Sequence, residues 1–328
     1  MLSDFTLMRN NFTGVPILIG EYDASPTNTE PAGRWKYVDY LIRSALSLDF
    51  ACVLWDNGLD HLDRNSGTWR DPNSISMITK STASTANSLP DSTEDASATS
   101  QWSSAYIFHE YGTSVVAQSL PFILNGNTLT SITDTTGSTL TSGTDYSVSG
   151  SNITFSASYL SKHISSTTSP GIIANLTLTF SGGLSSPVVQ LVQWKTPTLS
   201  STSAVASSVS GSDLSIPITW GGLPEVAAVK ALTTTGTYLV DTWTVYLGPL
   251  QQARAVSLVH SWFLEFALTF YELRQTYSSQ YNWDSSHVII TSSAISSVIS
   301  AGVSTVFTFE FYPRVEGGVN AVNFTLTV

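Results

Sequence analysis

The sequence has little charge and a single cysteine. Of its 328 residues, 11% are Asp, Glu, Lys or Arg, and the formal net charge is −11. A nucleic-acid-binding protein needs a basic surface that neutralises phosphates, so this balance argues against a nucleic-acid partner. Cys52 has no second cysteine with which to form an internal disulfide, and we expect a small, buried, apolar side chain there.

Long hydrophobic runs are also missing. No apolar stretch is long enough to cross a membrane, so we expect no membrane partner. Residues 1–14 lack the pattern of a signal peptide. The length of 328 residues favours two or three domains, and we expect a monomer without a cofactor or a metal site.

Glycosylation signals, in contrast, are present. Asn-X-Ser/Thr sequons begin at four positions, Asn11, Asn152, Asn175 and Asn323. Such sequons in a Thr-rich sequence of low charge are typical of a secreted, fungal-type protein. We therefore predict N-glycosylation at these four asparagines.

Two apolar runs near the amino terminus predict a pair of parallel strands. The first run, Val15–Tyr22, has the carboxylate of Glu21 near its carboxyl end, and the second, Phe50–Gly58, contains Trp55. Between them, the apolar residues of Arg34–Leu48 recur at helical spacing. Strand, helix and strand form one crossover unit, and continuous apolar strands of this kind are covered on both faces. Taken alone, Glu21 would be interpreted as a solvated loop residue.

Together, the Gly-Glu-Tyr and Trp-Asp-Asn-Gly segments resemble the seventh and eighth strands of a glycoside hydrolase family 5 barrel, closest to its endoglucanases and xyloglucanases. This resemblance implies that Glu21 is the nucleophile of a retaining glycosidase. It implies that Trp55 and Asn57 bind substrate, with the indole beneath a sugar ring. It also implies a partial (β/α)8 barrel, assigned to residues 1–114, and an extracellular parent enzyme. Asp23 departs from the family pattern, because many relatives have glycine there.

A retaining mechanism also needs a second carboxyl group about 5–5.5 Å from the first. The family's Asn-Glu-Pro segment, which supplies this acid/base, is absent from the sequence. Thr29-Glu30-Pro31 looks similar but precedes the predicted helix, so Glu30 is interpreted as a helix-start signal. A complete barrel has eight strands, and only two are predicted here. We therefore expect this chain alone to have no glycosidase activity.

The remainder of residues 1–114 lacks a clear barrel pattern. Thr79–Ser100 is nearly all Ser, Thr, Ala and Asp, which predicts a linker-like loop that is exposed or mobile. The apolar residues of Ser103–Tyr111 predict the last barrel helix, with Gly112 as its C-cap.

From Val115 the hydrophobic pattern changes to a period of two. Short strand-like runs alternate with Gly and Asn turns, such as Asn125-Gly126, and predict an all-β sandwich. Segments within residues 115–197 resemble the X2 immunoglobulin-like module that follows many cellulase domains. Two interpretations stay open: a rigid spacer, which we favour, and direct sugar binding, which usually needs more exposed aromatic side chains.

A second all-β sandwich is predicted for residues 204–328, where the sequence resembles carbohydrate-binding module family 46. The resemblance makes its aromatic residues candidate sugar-binding side chains, namely Trp283, Tyr281, Trp220 and Trp243. For each of them the alternative is a place in the core. Trp283 has polar neighbours, and we expect it to be the exposed one.

One segment, Val256–Gln275, does not fit this period-two pattern because it is helix-like and apolar. Removing it would restore a continuous sequence of the kind the family has there, and its boundary residues are compatible with splice-site codons. We hypothesise a retained intron at residues 256–275. The alternative is a genuine amphipathic insertion.

Three functional interpretations follow. The chain is the carboxy-terminal part of a retaining endo-β-1,4-glucanase or xyloglucanase that is inactive alone, or a non-catalytic β-glucan-binding protein. The third alternative is a truncated product without function. The first two share the expected partner, a β-1,4-glucan or xyloglucan.

Overall fold

The computed structural model describes most of the chain as two compact units. One unit lies within residues 1–192 and the other mainly within residues 193–328. Strands dominate both units, with few helices. The residues described are 1–26, 29–56, 60–93, 101–184, 186–239, 249–250, 280–314 and 318–328. Asn57, Trp243 and the predicted insertion at 256–275 lie outside them.

The first unit combines a helical amino-terminal part with a β-rich part. Its helices are α1 (Leu2–Asn11), α2 (Pro31–Leu46), α3 (Pro72–Lys80) and α4 (Ala157–Leu160). Its strands are β1 (Ile17–Tyr22), β2 (Phe50–Leu54), β3 (Leu62–Asp63), β4 (Thr68–Trp69), β5 (Leu89–Pro90), β6 (Tyr106–Glu110), β7 (Gln118–Ile123), β8 (Leu129–Thr133), β9 (Tyr146–Ser149), β10 (Asn152–Phe155), β11 (Gly171–Phe180) and β12 (Val188–Trp194).

The predicted strand–helix–strand unit is confirmed. β1 and β2 pair in parallel, with Ile17 opposite Phe50, and α2 lies between them in the chain. The carboxylate of Glu30 accepts hydrogen bonds from the backbone N–H groups of Ala32 and Gly33, each at 2.8 Å. These bonds satisfy two donors that the first turn of α2 leaves without intrahelical partners. Glu30 is therefore a helix cap, as its position before the helix predicted.

One face of the β1–β2 pair packs on helices and the other does not. Buried residues of α2, α3 and β5 form a core cluster with Tyr22. On the opposite face, Leu18 is 61% exposed and Val53 is also exposed. The prediction of strands covered on both faces is wrong for the described part of the chain, because the face that carries Leu18 and Val53 stays exposed there.

The β-rich part of the first unit is a sandwich of two four-stranded sheets, with strand orders β5-β7-β10-β9 and β6-β12-β11-β8. Side chains from both sheets share one core, including Phe155 and Leu176. The predicted Asn-Gly turn lies between β7 and β8. Asn125 and Gly126 both have positive φ, of 50° and 84°, which is the backbone a tight turn of this kind demands.

Two predictions for the preceding segment are wrong. Residues 103–111 were predicted to form a helix, but Tyr106–Glu110 is strand β6 of the sandwich. The apolar residues there fit either element, and pairing with β12 selects the strand. The predicted exposed loop at 79–100 also contains buried residues, since Asn87 and Leu89 lie in the interior.

The second unit is a sandwich of one four-stranded and one five-stranded sheet, ordered β13-β15-β19-β18 and β14-β21-β20-β16-β17. A single hydrophobic core lies between them, and helix α5 (Ser292–Ala301) packs against it. The strands are β13 (Thr198–Leu199), β14 (Ser203–Val205), β15 (Leu214–Thr219), β16 (Val226–Thr233), β17 (Pro249–Leu250), β18 (Tyr281–Trp283), β19 (His287–Ile290), β20 (Thr305–Phe311) and β21 (Ala321–Thr327).

Among the described residues, no helix is both long and apolar enough to cross a bilayer.

Candidate functional site

Glu21 lies near the carboxyl end of β1, where the pairing with β2 is irregular. The register shifts between Ile19 and Tyr22, so that Gly20 and Glu21 together oppose Val53. Two residues facing one is the arrangement of a β-bulge, which bends a strand and redirects its side chains. Glu21 is exposed, whereas the next residue, Tyr22, is buried. The carboxylate is therefore available to a molecule at this edge.

Trp55 lies at the same edge. It follows the last residue of β2, and its backbone N–H donates a hydrogen bond to the carbonyl of Tyr22 at 2.9 Å. Its side chain is half-buried. Because parallel strands end on one side of a sheet, the fold brings the Glu21 and Trp55 segments to a common edge.

Two side-chain contacts join the loops that follow β1 and β2. Nε2 of His61 lies 2.8 Å from Oδ1 of Asp23, and the His61 side chain is only 2% exposed. The hydroxyl of Ser25 donates to the Asp60 carboxylate at 2.8 Å. Sequence reasoning noted Asp23 only as a departure from the family and did not select His61. The two are 38 positions apart, and only the parallel strand pair brings them together.

A buried polar cluster joins helices α2 and α3. The Asp71 carboxylate accepts hydrogen bonds from Nε of Arg34 at 2.7 Å, from the Trp35 indole at 2.7 Å and from the backbone N–H of Ser74 at 3.1 Å. The last bond caps α3. Burial by itself would raise the pKa of Asp71, but the Arg34 guanidinium and these hydrogen bonds hold that pKa below its ordinary value. The cluster fixes α2 against α3.

Two other titratable side chains near the strands, Cys52 and Tyr37, favour their neutral forms. Burial raises the pKa of the Cys52 thiol, which is partly rather than fully buried. Burial, and then the charge of Asp23, also raise the pKa of Tyr37. Within the described ranges, no group of three or more His, Cys, Asp or Glu residues is arranged to hold a metal ion.

The aromatic candidates of the second unit lie in or against its core. Tyr281 is 5% exposed, so it lies in the core and has no free face for a sugar. Trp283 is half-buried, packs against the same core, and stacks on Tyr281 with ring centroids 6.2 Å apart. Trp220 also packs there, and its indole donates to the Ser285 carbonyl at 3.0 Å. Trp283, which we expected to be the exposed one, is therefore partly rather than fully accessible.

All four sequon asparagines are exposed. Two of them already make side-chain hydrogen bonds. Oδ1 of Asn175 accepts from Gln190, and Oδ1 of Asn323 accepts from Thr308. Both lie within strands, β11 and β21.

The fold and this edge define a multi-module protein: a strand–helix–strand segment with polar groups at one edge, followed by β-sandwiches. Residues 101–190 match the family model described as carbohydrate binding domain X2. Endoglucanase B of Paenibacillus lautus is 31% identical over 243 residues, which is 72% of this chain and 39% of that protein. Cellulose-binding protein A of Clostridium cellulovorans is 53% identical over 45 residues, covering 14% of this chain and 2% of that protein. The chain thus contains an X2 domain and is homologous to bacterial endoglucanases.

Solved structures share the fold over the whole chain. A tri-modular GH5 (subfamily 4) endo-β-1,4-glucanase from Bacillus licheniformis, complexed with cellotetraose, matches with a TM-score of 0.77 at 24% identity, covering 100% of this chain and 56% of that one. The full-length tri-modular endo-β-1,4-glucanase B from Bacillus halodurans matches with a TM-score of 0.69 at 18% identity, covering 100% and 55%. This chain therefore spans 39% of its Paenibacillus relative and about half of these structures.

Proposed function

We propose that this chain is a polysaccharide-binding protein whose ligand is a β-1,4-glucan, either cellulose or xyloglucan. The observation that carries the proposal is the X2 domain at residues 101–190, within a chain homologous to an endoglucanase over 243 residues. The low charge of the sequence suits a neutral ligand. Such polymers are too large or too insoluble to enter a cell, so the proposed location of the protein is extracellular. We also propose that the chain acts as a monomer.

The proposed modules are those of the sequence analysis. Residues 1–114 include two strand–helix units of a glycoside hydrolase family 5 barrel, and the parallel β1–β2 pair supports this assignment. The same range also includes β5 and β6, which pair with strands of the following sandwich. Residues 115–197 act as an immunoglobulin-like spacer. Residues 204–328 are a carbohydrate-binding module of family 46, in which Trp283 is half-buried.

Glu21 is the proposed nucleophile position of the parent enzyme, with Trp55 as the sugar platform beside it. Its exposure at a β-bulge supports this role. A retaining glycosidase also needs a second carboxyl group as the acid/base. The other described carboxylates of this edge make hydrogen bonds within the protein. Glu30 caps α2, Asp23 contacts His61, and Asp60 accepts from Ser25. Asp56 accepts from the backbone N–H of His61 at 3.4 Å. We therefore expect the polypeptide 1–328 to bind glucan without cleaving it.

Two measurements on the same protein test the proposal. Affinity electrophoresis in gels that contain xyloglucan or hydroxyethylcellulose should slow the protein relative to a gel without polysaccharide. A reducing-sugar assay on both polymers should show no release. Glu21→Gln is the matched variant: turnover that it abolishes would contradict the expected inactivity, and turnover that it leaves intact would indicate a contaminating enzyme.

The second candidate is catalysis, and it is favoured by one observation, the homology to a protein named endoglucanase B. The two candidates differ in the assays above. Retardation without reducing sugar supports binding alone, and retardation with Glu21-dependent release supports the enzyme. Neither retardation nor release would favour the non-functional alternative.

A further inference from the structure

Trp102 presents its side chain to solvent within the X2 domain. It is 47% exposed and is the second residue of the matched segment. Tryptophan is usually buried over most of its surface, because its ring contributes more apolar area than other side chains. Among the described tryptophans, only Trp69, at 44%, is comparably exposed. An exposed indole in a segment that matches a carbohydrate-binding domain is a candidate surface for stacking on a sugar ring.

The backbone that carries Trp102 is fixed by hydrogen bonds. Its N–H donates to the Thr93 hydroxyl at 3.1 Å, and its carbonyl accepts from the Thr93 N–H at 3.0 Å. The neighbouring residues Ser92 and Ser103 form an antiparallel bridge. The backbone that carries the indole is therefore anchored by this isolated bridge, which lowers the ordering cost when a ligand binds.

The described charged groups beside this bridge, Lys36, Asp91 and Glu30, each make an ion pair or hydrogen bonds. The Lys36 ammonium lies 2.7 Å from the Asp91 carboxylate and donates to the Ser92 carbonyl at 3.2 Å. The Glu30 carboxylate accepts from the Ser103 hydroxyl as well as from the first turn of α2. Paired charges and hydroxyl groups favour a neutral, hydroxylated ligand over an anionic one. A pyranose ring has that chemistry, with an apolar face for an indole and hydroxyl groups at its edge.

We propose that Trp102 is a sugar-binding platform that stacks on one pyranose unit of a neutral β-1,4-glucan. This site lies outside residues 115–197, for which a spacer role is proposed, and gives the X2 domain a contact with polysaccharide of its own. The proposal rests on the polysaccharide binding proposed above and assigns it to a residue.

The test compares Trp102→Ala with Trp69→Ala, a matched variant that removes the other exposed indole. In affinity electrophoresis on hydroxyethylcellulose, W102A should raise the dissociation constant about tenfold, as expected for a central aromatic anchor, while W69A should leave it unchanged. Trp102→Phe keeps an aromatic face and should recover most of the affinity. Carboxymethylcellulose, which is anionic, should retard the wild-type protein less than hydroxyethylcellulose.

A second measurement uses the wild-type protein and does not depend on the folding of a variant. Cellohexaose should protect Trp102, and not Trp69, from oxidation by N-bromosuccinimide, with mass spectrometry locating the modified residue. Equal affinity of W102A and wild type, equal losses in W102A and W69A, or oxidation of Trp102 at the same rate with and without cellohexaose would each overturn the proposal. If the wild-type protein binds no glucan at all, the proposed function itself fails, so the two failures are distinguishable.

Discussion

The Asp71 cluster should dominate the stability of the region that carries Glu21 and Trp55. Substituting Asp71→Asn leaves the Arg34 guanidinium in the interior without its counter-charge. Both side chains are about 6% exposed, so water cannot replace the lost partner. Removing one member of a buried ion pair costs about 3–5 kcal/mol. Asparagine can still accept the N–H of Ser74, so the helix-cap contribution of about 1 kcal/mol should be retained.

Hydrogen exchange measured by mass spectrometry suits this test, because a chain with two units does not unfold in one step. A loss of 3–5 kcal/mol corresponds to an increase of about two to three and a half powers of ten in the local exchange rate. The increase should appear in peptides from α2 and α3. Peptides from β11, in the sandwich, serve as the reference within the same molecule.

Two further variants make the reasoning refutable. Arg34→Met combined with Asp71→Asn removes both charges and should regain part of the protection, since no uncompensated charge is left. Asp63→Asn breaks an exposed contact with Arg70 at 3.7 Å and should leave exchange unchanged. If D71N lowers the local opening free energy by less than about 1 kcal/mol, the buried pair does not have the importance assigned to it.

Three other predictions concern packing, pH and modification. In Gly221→Ala the new Cβ would lie 2.0 Å from the Lys195 carbonyl oxygen. Urea denaturation should therefore show the second unit destabilised by about 1–3 kcal/mol. In the control Gly20→Ala the new Cβ meets nothing within 4 Å, so overpacking should not destabilise the first unit. The folded-state pKa of Asp71 is lowered. The ionised carboxylate therefore stabilises the fold above its unfolded pKa of about 3.9, and this stabilisation is lost as the pH falls through the folded pKa. D71N should remove this part of the acid dependence of stability, and an unchanged pH profile of stability in D71N would contradict the prediction. The sequons are tested in a secretory host that N-glycosylates, with Asn→Gln substitution at each of Asn11, Asn152, Asn175 and Asn323. Each substitution should remove one glycan, which mass spectrometry detects as a loss of mass. A site that is never modified in the unsubstituted protein would contradict the prediction for that site.

Local signals predicted the elements whose structure depends on local chemistry. Glu30 before Pro31 predicted the start of a helix, because a carboxylate there accepts the free N–H groups of the first turn. Asn125-Gly126 predicted a turn, because both residues tolerate positive φ. The apolar runs around Ile17 and Phe50 predicted strands on either side of a helix.

Non-local pairing explains the errors. The sequence Tyr106–Glu110 can form a helix or a strand, and hydrogen bonding to β12, some 80 residues later, selects the strand. Asn87 lies in a stretch of Ser, Thr and Ala, yet its side chain donates to Asp39 at 2.6 Å and accepts from the backbone of Leu184 at 2.6 Å. No pattern within residues 79–100 indicates these partners, because both are distant in the chain.

The sequence by itself determined the chemical character of the protein: low charge, one thiol, β-rich modules, and Glu21 and Trp55 at the ends of two apolar strands. Those properties belong to residue types and their spacing. Tertiary structure alone decided which side chains are available to a ligand. It buried Tyr281, half-buried Trp283, exposed Trp102, and joined Asp23 to His61. Exposure and pairing depend on which strands meet across a sandwich, and those contacts connect residues that no local pattern relates.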